Sequence, residues 1–207
     1  MRHVKQSRAT GAYAGATMNA NAPTLPAAPA GRDGFEVLDA VHRRTLQALD
    51  ALAMLLPRLE SGEIDATARA LAREVVQHFK NVSRAHHEDE ERHVFPALAR
   101  SADPEIVQAV LRLQQDHDWL EEDWMELAPH LEAVALGQPW FDLDVLREGA
   151  AVFAALSQDH IALEETLIYP QARARLGEAQ RAAMGREMAA RRRAGRGQRV
   201  ARGSGAG

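Results

Sequence analysis

Residues 86–96 read His86-His87-Glu88-Asp89-Glu90-Glu91-Arg92-His93-Val94-Phe95-Pro96, and residues 160–170 read His160-Ile161-Ala162-Leu163-Glu164-Glu165-Thr166-Leu167-Ile168-Tyr169-Pro170. Both fit H-x-x-x-E-E-x-x-Φ-(F/Y)-P, with the histidine ten residues before the proline. On a helix, residues four apart lie side by side with Cβ atoms about 5–6 Å apart, so each His–Glu pair can address a single centre. The chain carrying these segments has 207 residues, 46% hydrophobic and 26% charged, values ordinary for a folded domain with tails. It has no cysteine, which excludes disulfide scaffolds, thiolate zinc sites, Cys-ligated iron–sulfur clusters and thiol catalysis. Imidazole and carboxylate are left as the metal-binding groups.

Around the two segments the pattern is helical, and no strand signal competes with it. Leu38, Thr45, Leu49, Leu52 and Leu56 form the stripe of an amphipathic helix from Phe35 to about Leu59, broken at Ser61-Gly62. A second helix is expected from about Asp65 to Arg100. Asp103-Pro104-Glu105 is a start signal, with Asp as N-cap, Pro at the first helical position and Glu in the first turn. The third helix runs to about Ala135, before the Gly137-Gln138-Pro139 break, and the fourth from near Asp142 to about Arg175. Four long helices with short connections predict an all-α, up-down-up-down four-helix bundle over residues 35–176. Residues 1–34 are expected to be a disordered extension and residues 177–207 a short helix with an Arg/Gly-rich tail.

Charge follows the same division. Residues 1–34 carry a net +3 and residues 186–207 a net +6, which leaves −13 on residues 35–185. An acidic bundle favours solubility and also attracts cations. Residues 9–31 hold no charge, but Gly, Pro, Asn and Thr interrupt any membrane span or signal peptide. Pro23, Pro26 and Pro29 exclude an amphipathic targeting helix, and Met18 offers an alternative start. The Arg-rich tail reads as a solvated terminus rather than a nucleic-acid contact.

Each predicted helix places one histidine on its core-facing stripe: His42 with Leu38 and Leu49, His86 with Phe79 and Val82, His117 with Leu113 and Leu120, His160 with Phe153 and Leu156. A lone core histidine is ordinarily a hydrogen-bonded packing residue. Four of them, one per helix, point to a shared metal that gives every buried imidazole a partner at once. His42 precedes His86 by 44 residues and His117 precedes His160 by 43, so the chain reads as two related hairpins. Parallel second and fourth helices bring Glu90 and Glu164 together from opposite corners. Two carboxylates bridging two cations flanked by imidazoles is the arrangement a di-metal site needs.

These features resemble the hemerythrin-like (HHE cation-binding) family over about Phe35 to Arg175. Ferritin-like di-iron bundles use Glu-x-x-His instead, matched here only formally by Glu90 and His93. The resemblance implies two non-haem iron ions, bridged by carboxylate and oxo groups, that bind O2 or related small molecules such as nitric oxide. It also implies His42, His86, His117 and His160 as terminal ligands and Glu90 and Glu164 as bridges. The family's oxygen carriers have two histidines four apart on the third helix, whereas Leu113 and Glu121 flank His117 at that spacing. Glu121 is expected to be solvated, with an extra oxygen ligand as the alternative. His87 and Glu91 repeat the four-residue spacing about 100° round the helix from His86, and are expected beside the ligands or at the surface. His93, on the face of His86, is expected at the centre or its entrance. His3, His78 and His130 are expected to be ordinary histidines.

Three functions stay open at this stage. The first is a cytoplasmic O2-binding or O2-sensing module. The second is an enzyme turning over nitric oxide, peroxide or O2 or repairing iron centres, the repair branch weakened by the absence of cysteine. The third is an iron-homeostasis protein. Manganese and zinc suit the same ligands, and the sequence identifies no protein partner and no membrane association.

Overall fold

The structure, a computed structural model, describes residues 33–62 and 64–203, with side chains through residue 194. Every described element is helical: α1 (Gly34–Glu60), α2 (Ala66–His78), a π-turn (Phe79–Ser83), α3 (Arg84–His93), α4 (Phe95–Leu98), α5 (Pro104–Ala135), α6 (Leu143–Leu163), a second π-turn (Glu164–Ile168), α7 (Tyr169–Arg175) and α8 (Glu178–Gly203). The expected second helix is thus a run of α2, π-turn, α3 and α4, and the fourth a run of α6, π-turn and α7. The expected disorder of residues 1–34 falls, except for Asp33 and Gly34, outside the described residues.

Local chemistry sets the ends of these runs. Asp33, Asp65, Asp103 and Asp142 cap α1, α2, α5 and α6, each side chain accepting a backbone N–H from the first turn. α1 and α5 stop where Gly62 and Gly137 take φ of +81° and +71°, a region that L side chains enter only with strain. At the end of α5 the Gln138 N–H reaches the Ala133 carbonyl at 2.8 Å and the Gly137 N–H the Val134 carbonyl at 2.9 Å, a Schellman closure.

α1 packs against α2 and α6, α5 packs against α2 and α6, and α8 lies along α1. Contacts of α1 with the α2–α3 run, and of that run with α5, are in opposite senses. Arg58 pairs with Asp65 while His42 meets His86, and Lys80 pairs with Glu132 while Glu91 meets His117. Two apolar clusters result. One contains Leu52, Leu55, Phe79, Leu127, Leu131 and Phe153, and the other Phe35, Leu38, Phe95, Leu113, Tyr169 and Met188. On each run the core histidine falls between residues of the two clusters, so a buried polar layer is enclosed by apolar packing on both sides. At about 25 cal/mol per Å2 of apolar surface, those clusters supply the stability that lets a polar layer be buried at all.

The helix that follows the fourth run is longer than expected. Instead of a short piece followed by a tail, α8 extends for 26 residues from Glu178. Met184 and Met188 insert into the second apolar cluster, Glu187 meets His93, and Arg191 and Arg192 hold the buried carboxylate of Asp89. No helix among the described residues is long and apolar enough to cross a membrane.

The αL closure of α5 is testable. Gly137→Val should lower unfolding stability by about 1–2 kcal/mol. Gly177→Ala, at a position without positive φ and with only the Gln180 side chain nearby, should leave it within about 0.5 kcal/mol. Denaturant melts of the two variants beside the parent check both values.

Candidate metal centre

α3 presents His86 and Glu90 one turn apart, and the run through α6 presents His160 and Glu164 in the same relation. The geometry repeats closely: His86 Nε2 lies 3.3 Å from Glu90 Oε1, and His160 Nε2 lies 3.3 Å from Glu164 Oε1. α1 adds His42, whose Nε2 lies 3.0 Å from His86 Nε2 and 3.1 Å from Glu164 Oε2. α5 adds His117, with Nε2 3.6 Å from Glu90 Oε2. All six side chains are buried.

Their ligand atoms fall into overlapping groups within 4.8 Å: His42, His86, Glu90 and Glu164 in one, and Glu90, His117, His160 and Glu164 in another. A third group joins His87 to His117 and His160. Several of these inward atoms are buried without a hydrogen-bond partner, including His117 Nε2, His160 Nε2, Glu90 Oε2 and both oxygens of Glu164. Buried polar atoms are nearly always satisfied. A set of orphaned imidazole nitrogens and carboxylate oxygens aimed at a shared volume fits cations held by nitrogen and oxygen ligands.

The electrostatics are those of a crowded charge cluster. Burial, reinforced by the charge of Glu164, pushes Glu90 well above the ordinary glutamate range. Burial alone would depress His42 and His160, but the carboxylates outweigh it. Glu164, Glu90 and Glu165 hold His42 above its usual value, and Glu164, Asp116 and Glu90 push His160 up to about 10. His86 and His87 are held well below theirs, by burial first and then by the neighbouring imidazoles. Protons settle this cluster only partly, and cations satisfy carboxylate and imidazole together.

The other candidates separate clearly. His87 is half-buried, its ring stacked on His117 at 3.9 Å between centroids, while its neighbour His86 faces His42. The 100° between adjacent residues, which set His87 apart from His86 in the sequence, lets one dipeptide face two groups at once. Glu91 donates nothing to the groups themselves but accepts a hydrogen bond from His117 Nδ1 at 2.8 Å. His93 turns away from the centre to pair with Glu187 of α8 at 2.7 Å. Glu121 is 54% exposed, with Arg84 3.6 Å away, and lies outside all three groups. His130 accepts the Asp142 N–H in the α5–α6 connection, and His3 lies outside the described residues.

Three nearby residues were not singled out as candidates. Glu165 accepts from His42 Nδ1 at 3.0 Å. The Tyr169 hydroxyl donates to Glu90 and lies 3.1 Å from His42 Nε2, with its ring stacked on that imidazole. Buried Asp116 approaches His160 Nδ1 at 3.7 Å. The repeated E-E doublet and the repeated aromatic were the available signals for Glu165 and Tyr169. Nothing in the local spacing marks Asp116.

Beside the centre, the Thr45 hydroxyl donates to the Val41 carbonyl and accepts from His78 Nε2 at 2.9 Å. Burial, aided by the charge of Arg44, pushes His78 down to about 4. The unfolded chain takes this proton near pH 6.5 and the folded chain only near 4, so stability should fall as pH drops through that window and be unaffected above it. In metal-free protein, His78→Gln should reduce that loss by up to about 3 kcal/mol. Denaturant midpoints measured from pH 7.5 to 4 check the difference between the two proteins.

Comparison with known proteins agrees with this geometry. A protein of Haemophilus influenzae (strain ATCC 51907 / DSM 11121 / KW20 / Rd), described as an uncharacterized protein, is 28% identical over 158 residues, covering 76% of this chain and 89% of the relative. Residues 33–172 match the hemerythrin HHE cation-binding domain, a span that contains all three groups and ends before α8. The chain belongs to the hemerythrin HHE cation-binding family.

Proposed function

We propose that the four long helical runs form an up-down-up-down bundle around a non-haem di-iron centre that binds O2 or a related small molecule such as nitric oxide. One observation carries this reading: Glu90 and Glu164 belong to both four-residue groups, the position of carboxylates that bridge two cations. His42 and His86 attend one cation, and His117, His160 and His87 the other. The imidazole set is therefore three against two, and the histidine missing from α5 is replaced by one from α3.

The unequal set leaves more coordination space on the side of His42 and His86. A cavity of about 20 Å3 adjoins the candidate ligands of both groups, lined by His42, His86, His87 and His160 together with Phe79 and Phe153 among others. That volume holds one water or one diatomic molecule, whereas a drug-sized organic ligand needs about 300 Å3 or more. Iron bound here would supply electrons and an open coordination position. The protein's own part is to keep water out with two apolar clusters and to orient the carboxylates. The Tyr169 hydroxyl, donating to Glu90, fixes the rotation of one bridge.

Anaerobic loading with ferrous iron followed by addition of O2 or nitric oxide tests this directly. The expected result is about two irons per chain and an absorption change that saturates near one small molecule per iron pair. Return of the spectrum on purging marks a binding or sensing protein, and turnover marks an enzyme. An unchanged spectrum with both gases contradicts the proposal. His87→Ala should release one metal at chelator concentrations that leave the parent loaded, while His93→Ala and Glu121→Ala should keep both metals.

A further inference from the structure

Each His–Glu helix also carries a second glutamate that the metal-binding reading does not use, and an aromatic residue four positions beyond it. These side chains cross between the two halves of the chain. Glu91, next to Glu90, accepts from Nδ1 of His117 at 2.8 Å, and Glu165, next to Glu164, accepts from Nδ1 of His42 at 3.0 Å. The aromatics repeat the exchange: Phe95 stacks on His117 at 5.6 Å between centroids and Tyr169 on His42 at 5.2 Å. His86 and His160 have their own glutamate one turn away, at 3.3 Å in both cases. His42 has no glutamate at that spacing, and Glu121, one turn after His117, is 54% exposed and outside all three groups.

We infer that Glu91 and Glu165 are paired positioning residues, each fixing the tautomer and direction of the lone histidine contributed by the opposite hairpin. A carboxylate on Nδ1 keeps the proton there and leaves Nε2 free to face the centre. Outer carboxylates of this kind both orient a ligating imidazole and make it more electron-rich. In His117 the inward Nε2 is buried without a hydrogen-bond partner, so with the proton on Nδ1 its lone pair faces the centre. The arrangement explains why the motif carries two glutamates: the first serves the centre, and the second serves a histidine on another helix.

Glu91 and Glu165 are 47% and 49% exposed, so neither is needed to fill the core. This separates positioning from packing. The inference rests on the two-metal reading, and its test distinguishes failure of one from failure of the other. The full chain is loaded with Co(II), and its two binding steps are resolved by competition with a chelator, for the parent and for Glu91→Ala, Glu91→Gln, Glu165→Ala and Glu165→Gln. Each alanine variant should weaken one binding step by about 10- to 100-fold, and the double alanine variant should weaken both. Each glutamine variant, which keeps the acceptor and loses the charge, should recover most of that affinity. It should also shift the cobalt absorption bands relative to the parent. Thermal melts of the metal-free variants should stay within about 2–4 °C of the parent, the shift of a 1 kcal/mol change in a chain this size. Two normal binding steps in both alanine variants overturn the positioning role alone. Fewer than two steps in the parent overturn the two-metal reading and this inference with it.

Discussion

Two glutamates with no exposed surface, Glu90 and Glu164, face one another among the imidazoles of His42, His86, His117 and His160. Isolated carboxylates buried in an apolar interior cost several kcal/mol each, and neighbours of like charge raise that cost. The rest of the structure is arranged around this constraint. Apolar clusters on both sides give the packing that tolerates the polar layer. Aspartate caps and αL glycines fix the ends of the helices that carry the histidines. Tyr169 satisfies one oxygen of Glu90, and Glu91 and Glu165 satisfy the outward nitrogens of His117 and His42. Cations at the centre would neutralise what remains, which links metal binding to folding.

The two hairpins are related, and their differences bear on function as much as their likeness does. Asp116, just before His117, approaches Nδ1 of His160. The corresponding residue before His42 is Val41, so Nδ1 of His86 has no carboxylate at the 3.7 Å at which Asp116 lies from Nδ1 of His160, although neither nitrogen has a hydrogen-bond partner. One half carries a phenol where the other carries Phe95. One π-turn precedes the histidine of its motif, and the other begins at the motif's glutamate. Such turns insert an extra residue and rotate everything beyond them, a device common at functional sites. With His87 added to His117 and His160, the imidazoles around the shared carboxylates divide unequally, three against the two of His42 and His86.

Much of this was legible in the sequence because it is periodic. The His–Glu pairs at i,i+4, the 44- and 43-residue spacing and the helix starts at Asp65 and Asp103 all follow from helix geometry. The six side chains so named do converge. The 100° between His87 and His86 suggests separate surroundings for the two, yet α3 borders two groups and His87 joins His117 and His160 in one of them. Glu165 was missed because its partner His42 lies 123 residues away, and a half-exposed glutamate has no local mark of function. Composition misled at α8. Arginine and glycine suggest a tail, but Met184 and Met188 at i,i+4 and the Arg191–Arg192 pair opposite Asp89 hold the helix against the bundle.

The most direct measurement is anomalous diffraction at the iron edge from crystals of the iron-loaded protein. Two peaks about 3.5–4 Å apart, with Glu90 and Glu164 touching both, are the predicted result. A single peak, or two peaks that do not share these carboxylates, contradicts a bridged two-metal centre.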